Sequence, residues 1–184
     1  MYISSQEIQN AIKKVVDAVE VYRPEVLLLV LMAAQPFALH LLEGLKKRGL
    51  VLEVNSLRAH RNEAGEETIR IVPELFLPRI YARKVLLVDC IWDTGKTMQA
   101  CIDYLEEESL PAEVRTAVLL WRNDENSPVV LRPDYYGIDL QGAPGFLYGF
   151  GLDLNGEKRE LPYIETAPDS LAQDFVVGDE DGRR

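Results

Sequence analysis

The sequence predicts an open α/β fold in which a mostly parallel sheet is wound by helices on both faces. Two apolar runs, Glu25 to Leu31 and Lys84 to Val88, lack polar alternation, the pattern of strands covered on both sides in a parallel sheet. Each run is followed by apolar residues at helical spacing, so strands and helices alternate along the chain. With 184 residues, 47% of them apolar, the chain can bury a core as one domain.

The elements follow in order. Ser4 and Glu7 form a Ser-x-x-Glu capping box ahead of Ile8, Ile12, Val15, Val16 and Val19, which predicts a first helix to about Tyr22, stopped by Pro24. The strand Glu25 to Leu31 leads to a second helix marked by Phe37, Leu41 and Leu45. That helix closes near Gly49, where Lys46, Lys47 and Arg48 suit its negative end. Val51 to Leu57 and Thr68 to Val72 read as strands joined by a polar stretch around Arg61 to Glu66, a mobile hairpin. After the strand Lys84 to Val88, Met98, Cys101, Ile102 and Leu105 mark a third helix. Arg115 to Trp121 and Tyr135 to Leu140 supply two further strands.

Charge narrows the function. The formal net charge is −10, and a chain so acidic lacks the surplus of Lys and Arg that gripping nucleic acid or anionic lipid demands. Six acids and two arginines between Glu165 and Arg184 leave that segment at −4 and the body at −6. Residues 165–184 read as an acidic, poorly ordered tail, and residues 1–164 as a single domain. No apolar run approaches the roughly 20 residues that span a bilayer. The opening Met1-Tyr2-Ile3-Ser4-Ser5 lacks the basic start of a secretory signal, so a cytoplasmic location is expected. Cys90 and Cys101 suggest no disulfide framework, and with His40 and His60 they show no zinc-ligand spacing.

In open α/β sheets ligands bind beyond the carboxyl ends of strands, and the stretch Asp93 to Thr97 sits at such a place. The amides that open the following helix, its dipole, and the hydroxyls of Thr94 and Thr97 would cradle a phosphate, with Gly95 allowing close approach and Lys96 adding charge. Gly95-Lys96-Thr97 is similar to the end of a P-loop, but the position that needs the earlier glycine holds Cys90. A simpler alternative is that Asp93 only caps the helix and Thr94 only fills a turn.

The run Val85-Leu86-Leu87-Val88-Asp89-Cys90-Ile91-Trp92-Asp93-Thr94-Gly95-Lys96-Thr97 resembles the phosphoribosyl pyrophosphate (PRPP) motif of type I phosphoribosyltransferases. Phe146 to Asn155, continuing through Arg159 to Ile164, resembles the purine end of the hypoxanthine-guanine branch of that family. Weaker similarity runs from Ile3 to Ile164. The resemblance implies a small C-terminal hood over the sheet and a reaction in which a 6-oxopurine displaces pyrophosphate from PRPP, with Mg2+. It assigns Asp93 as acid and base, Asp89 to the ribose hydroxyls, and Thr94, Gly95, Lys96, Thr97 and Arg159 to phosphate or pyrophosphate. Arg122, Phe146, Leu147 and Asp153 fall to the purine, Asp153 also to the metal. It further implies a homodimer or homotetramer. Without the resemblance Phe146 reads as core and Arg159 as a solvated charge.

Four positions depart from the family pattern. Cys90 replaces the second of two paired acids, and Leu31-Met32-Ala33-Ala34 replaces a Leu-Lys-Gly loop. Ser56-Leu57 stands for the Ser-Tyr of the mobile loop, and Arg122 for a purine-reading lysine. Cys90 and Met32 leave open a second function, a PRPP- or nucleotide-binding regulator with little turnover, while a nucleic-acid-binding regulator is disfavoured by the charge of the body.

Overall fold

The computed structural model describes residues 1–61, 69–73, 80–124 and 131–168. The chain runs β1 (Tyr2–Ile3), α1 (Ser5–Tyr22), β2 (Val26–Leu31), α2 (Gln35–Lys47), β3 (Glu53–Arg61) and β4 (Ile69–Pro73). It continues through β5 (Lys84–Trp92), α3 (Lys96–Glu108), β6 (Glu113–Trp121), β7 (Tyr135–Asp139), β8 (Leu147–Tyr148) and β9 (Ile164–Thr166).

Six strands form one sheet in the order β4-β3-β2-β5-β6-β7. Every neighbouring pair is parallel except β3 with β4, so the mostly parallel sheet expected from the apolar runs is present. Helices cover both faces. On one, Ile8, Val15 and Val19 of α1 and Phe37, Leu41 and Leu45 of α2 pack over Leu27, Leu86 and Leu119. On the other, Met98, Cys101 and Leu105 of α3 pack over Leu28, Val85, Leu87 and Val118. The alternation of burial along β5 is thus shared between two cores, which is why its sequence is apolar at every step.

The capping box forms as expected: the Ser4 hydroxyl accepts from the Glu7 amide at 3.3 Å and the Ser4 amide donates to Glu7 Oε2 at 2.8 Å. The helix ends on Arg23 in the left-handed region, one residue before Pro24. Several expectations need correction. β5 does not stop at Val88 but continues through Trp92, because β6 pairs with it as far as Trp92 with Trp121. Ser56 and Leu57, which stand for the Ser-Tyr of the family's mobile loop, lie within β3 as the expected strand has them, paired with Leu29 and Val30. A second sheet, β1-β9-β8, is antiparallel and joins the two ends of the described chain over the main sheet. Glu165 and Thr166, expected in the tail, belong to β9, where Glu165 faces Tyr2. Residues 62–68 of the expected mobile hairpin and 169–184 of the expected tail lie outside the described residues. No helix among the described residues is long and apolar enough to cross a membrane.

Candidate active site

The carboxyl ends of β2, β5 and β6 open into a cleft of about 790 Å³. Leu31, Met32 and Ala33 after β2 form one wall; Asp89, Ile91 and Trp92 of β5 with Asp93, Thr94 and Gly95 form the floor. Thr97 and Met98 of α3 and Arg122 beyond β6 line the next side, and the hood closes over them with Gly145, Phe146, Leu147, Leu152, Asp153 and Arg159. Of the residues singled out from sequence, the cleft brings together Asp89, Asp93, Thr94, Gly95, Thr97, Arg122, Phe146, Leu147, Asp153 and Arg159. Lys96 is not among the lining residues and its side chain is exposed.

The floor owes its shape to Gly95. This residue has φ +80°, and a Cβ built on it would fall 2.7 Å from the indole Nε1 of Trp92. Gly95 is the N-cap of α3, and no side chain caps that helix. Asp93 is therefore not a helix cap; the Lys96 amide donates to the Thr94 hydroxyl at 3.4 Å, and the start of α3 faces the cleft with Thr97 and Met98. Trp92, which the sequence reading passed over, is 3% exposed and forms the bed under that turn. Its signal was its place between the strand and the acidic turn.

Two aspartate–arginine pairs organise the polar groups. Arg122 Nε lies 2.8 Å from Asp93 Oδ1, and Arg159 Nη2 lies 2.9 Å from Asp153 Oδ1. Arg159 Nη1 also donates to the Gly151 carbonyl at 2.6 Å, and Asp153 Oδ2 accepts from the Gly156 amide at 3.0 Å, so this pair ties the hood's turns together. Asp93 is 55% exposed in its pair, and such a contact contributes about 0–1 kcal/mol to stability; what it supplies is orientation. Asp89 Oδ1 accepts the Cys90 amide at 2.6 Å.

Cys90 corrects an expectation. Its thiol is fully buried on the α1–α2 side, 3.8 Å from the Phe150 carbonyl, and does not line the cleft. Burial first, and the charge of Asp89 second, push its thiol far up, so it stays neutral. Replacing an acid there removes no group from the cleft wall in this arrangement.

A mostly parallel sheet with a cleft beyond the carboxyl ends of its central strands defines an α/β protein built to hold a small ligand at that end. The chain belongs to the phosphoribosyl transferase domain family, which matches residues 3–154. It is 32% identical to the hypoxanthine-guanine phosphoribosyltransferase of Rattus norvegicus over 108 residues, 59% of this chain and 48% of that protein. The same identity and share of this chain link it to phosphoribosyltransferase domain-containing protein 1 of Xenopus laevis, covering 46% of that protein. The chain thus spans about half the length of the curated relatives it matches. Among solved structures, a Trypanosoma cruzi hypoxanthine phosphoribosyl transferase superposes with a TM-score of 0.82 at 22% identity, covering 96% of this chain and 94% of that one. A hypoxanthine phosphoribosyltransferase of Staphylococcus aureus gives 0.78 at 22% identity, with 92% of each chain covered. These two likenesses bear on the fold.

Proposed function

We propose that the protein transfers the 5-phosphoribosyl group from PRPP to a 6-oxopurine, hypoxanthine or guanine, releasing pyrophosphate and serving purine salvage in the cytoplasm as a homodimer or homotetramer. One observation carries the reading: the acidic turn after β5 and the hood segment around Phe146 and Asp153, far apart in sequence, enclose one cleft. As the bond from ribose C1 to pyrophosphate stretches, the sugar becomes cation-like, so the work is positioning and electrostatic stabilisation. In this reading Asp93 keeps Oδ1 on Arg122, while its other oxygen accepts the imidazole-ring proton as the base bonds to C1. Asp89 holds the ribose hydroxyls. The α3 amides with Thr94, Gly95, Lys96 and Thr97 take the 5-phosphate, and Arg159 takes pyrophosphate. Phe146 stacks on the purine with Leu147 beside it, and Asp153 completes the base pocket, which Arg122 borders from the end of β6.

Magnesium fits the donors at hand. No three His, Cys, Asp or Glu side chains gather into a metal cage among the described residues, which suits an ion that keeps waters and substrate oxygens and takes one or two carboxylates. Asp153 would supply one: each of its oxygens already accepts a single hydrogen bond, and a carboxylate has about four lone-pair sites. When bound, the ion would neutralise the leaving pyrophosphate.

A second reading, a PRPP- or nucleotide-binding regulator, is favoured by Met32, a residue 44% exposed at the cleft wall where the family pattern has a lysine. Incubating the protein with PRPP, Mg2+ and hypoxanthine, guanine or xanthine, and following nucleotide formation, separates the two. Turnover with at least one base is the expected result. No conversion, with PRPP still raising the melting temperature, would sink the transferase reading and leave the regulator.

A further inference from the structure

We propose that Arg122 is a positioning residue that fixes Asp93 and the hood loop against each other, and not a reader of the purine as its place in the family pattern implies. The proposal rests on the transferase reading for its kinetic consequences. Its geometry stands without it.

The backbone at this point is held from two sides. Arg122 follows the last residue of β6, and its amide donates to the Trp92 carbonyl at 2.9 Å, adding one rung to the pairing with β5. The Leu140 amide donates to the Trp121 carbonyl at 2.8 Å, so the segment after β7 holds the same corner. From this anchor the guanidinium, in a side chain only 15% exposed, uses all three nitrogens on protein groups. Nε meets Asp93 Oδ1 at 2.8 Å, Nη1 donates to the Ala143 carbonyl, and Nη2 donates to the Gly145 carbonyl at 3.3 Å. Asp93 stands on the turn between β5 and α3, whereas Ala143 and Gly145 belong to the loop that delivers Phe146. One rigid planar group therefore joins the end of β6, the acid, and the strip of backbone that carries the base-stacking ring. A lysine cannot do this, because its donors radiate from a single nitrogen, while three acceptors on two segments require the spread of a fork. The departure from lysine thus replaces a contact to the ligand by a contact between two walls of the cleft.

The test is a double-mutant cycle on R122K and Asp93→Ala with kcat and KM for the base measured in each protein. R122K is expected to lower kcat about tenfold to a hundredfold, the cost of misplacing a catalytic group, while KM for the base moves less than about threefold. In the Asp93→Ala background R122K should cost nothing further, because the residue acts through Asp93. A raised KM with kcat preserved, or the same loss of kcat in both backgrounds, overturns the proposal. A second measurement needs neither turnover nor an Arg122 variant: the Nε–H of Arg122 in a 15N-arginine spectrum, assigned through correlation to its own side-chain and backbone carbons. Slow exchange in the parent protein and rapid exchange in Asp93→Ala is the expected pattern, and an unchanged signal overturns the clamp. Should the parent protein convert no base, the transferase reading fails and this signal alone decides about Arg122; should R122K fail to fold, the comparison with Asp93→Ala still decides.

Discussion

Gly95 and Gly49 have nearly the same backbone, φ +80° and +79°, but different surroundings. Nothing lies within 4 Å of a Cβ built on Gly49, whereas at Gly95 it would meet the Trp92 indole at 2.7 Å. Gly49→Ala should therefore cost about 1–2 kcal/mol, the penalty of left-handed backbone alone. Gly95→Ala should cost more and shift the Trp92 fluorescence. Urea titration of both variants checks this, and equal losses would mean the floor of the cleft is not held by that contact. The buried thiols make a second residue-scale prediction. Burial first, then the charge of Asp89, pushes Cys101 from 9.0 up to about 12, and Cys90 rises further for the same causes. A group whose folded value is raised gives stability that is present below its unfolded value and lost as pH rises through the folded one. The urea midpoint should accordingly fall from about pH 9 toward 12, and Cys101→Ala should flatten that slope. A midpoint equally steep in the variant would remove the thiol from the account.

At the scale of elements, α1 shows how far local chemistry reaches. Its start is set by the reciprocal bonds of Ser4 and Glu7, and its seat by Ile8, Val15 and Val19 against the sheet. Ser4→Ala removes one of those bonds and should cost about 0.5–2 kcal/mol in urea unfolding, with the slope unchanged. A midpoint identical to the parent's would show that packing alone holds the first turn. This helix, the parallel strands and the acidic turn were all legible in the sequence, because caps, apolar runs and contiguous side chains are local signals. The second sheet was not. β1, β8 and β9 are two or three residues each, too short for periodicity, and their pairing depends on the two ends of the described chain meeting. β5 was read four residues short, since Asp89 and Cys90 look like a loop until β6 is laid beside them. The Arg122–Asp93 pair was hidden for the same reason: it exists only through the parallel register of β5 and β6, which no local pattern encodes. Phe146, Asp153 and Arg159 could be placed at the cleft only through resemblance, as their own spacing reads equally as core and surface.

For the whole molecule the charge remains the strongest constraint, and the cleft sharpens it. The protein carries −10 overall, and among the described residues the charged side chains lining its cleft are three aspartates, Asp89, Asp93 and Asp153, against two arginines. Each arginine already faces one of those aspartates, at 2.8 Å for Asp93 and 2.9 Å for Asp153. The exposed Lys96 stands off the wall, and Met32 occupies the place where the family pattern has a lysine. The side chains of the described lining residues therefore offer a pyrophosphate no net positive field. A polyanionic substrate must draw its attraction from the amides at the start of α3 and from a divalent cation bound with it. Long-range repulsion from the rest of the surface is largely screened beyond about 8 Å at physiological salt, so the local balance decides. The expected outcome is that PRPP with Mg2+ raises the melting temperature, and that chelating the metal with EDTA lowers apparent affinity for PRPP by at least about tenfold, the loss of roughly one charge-assisted contact. Thermal shifts across a PRPP titration, with and without EDTA, measure this directly. Equal affinity in the two series would mean that the cleft holds the anion by its own groups, and the charge argument would fail where it matters most.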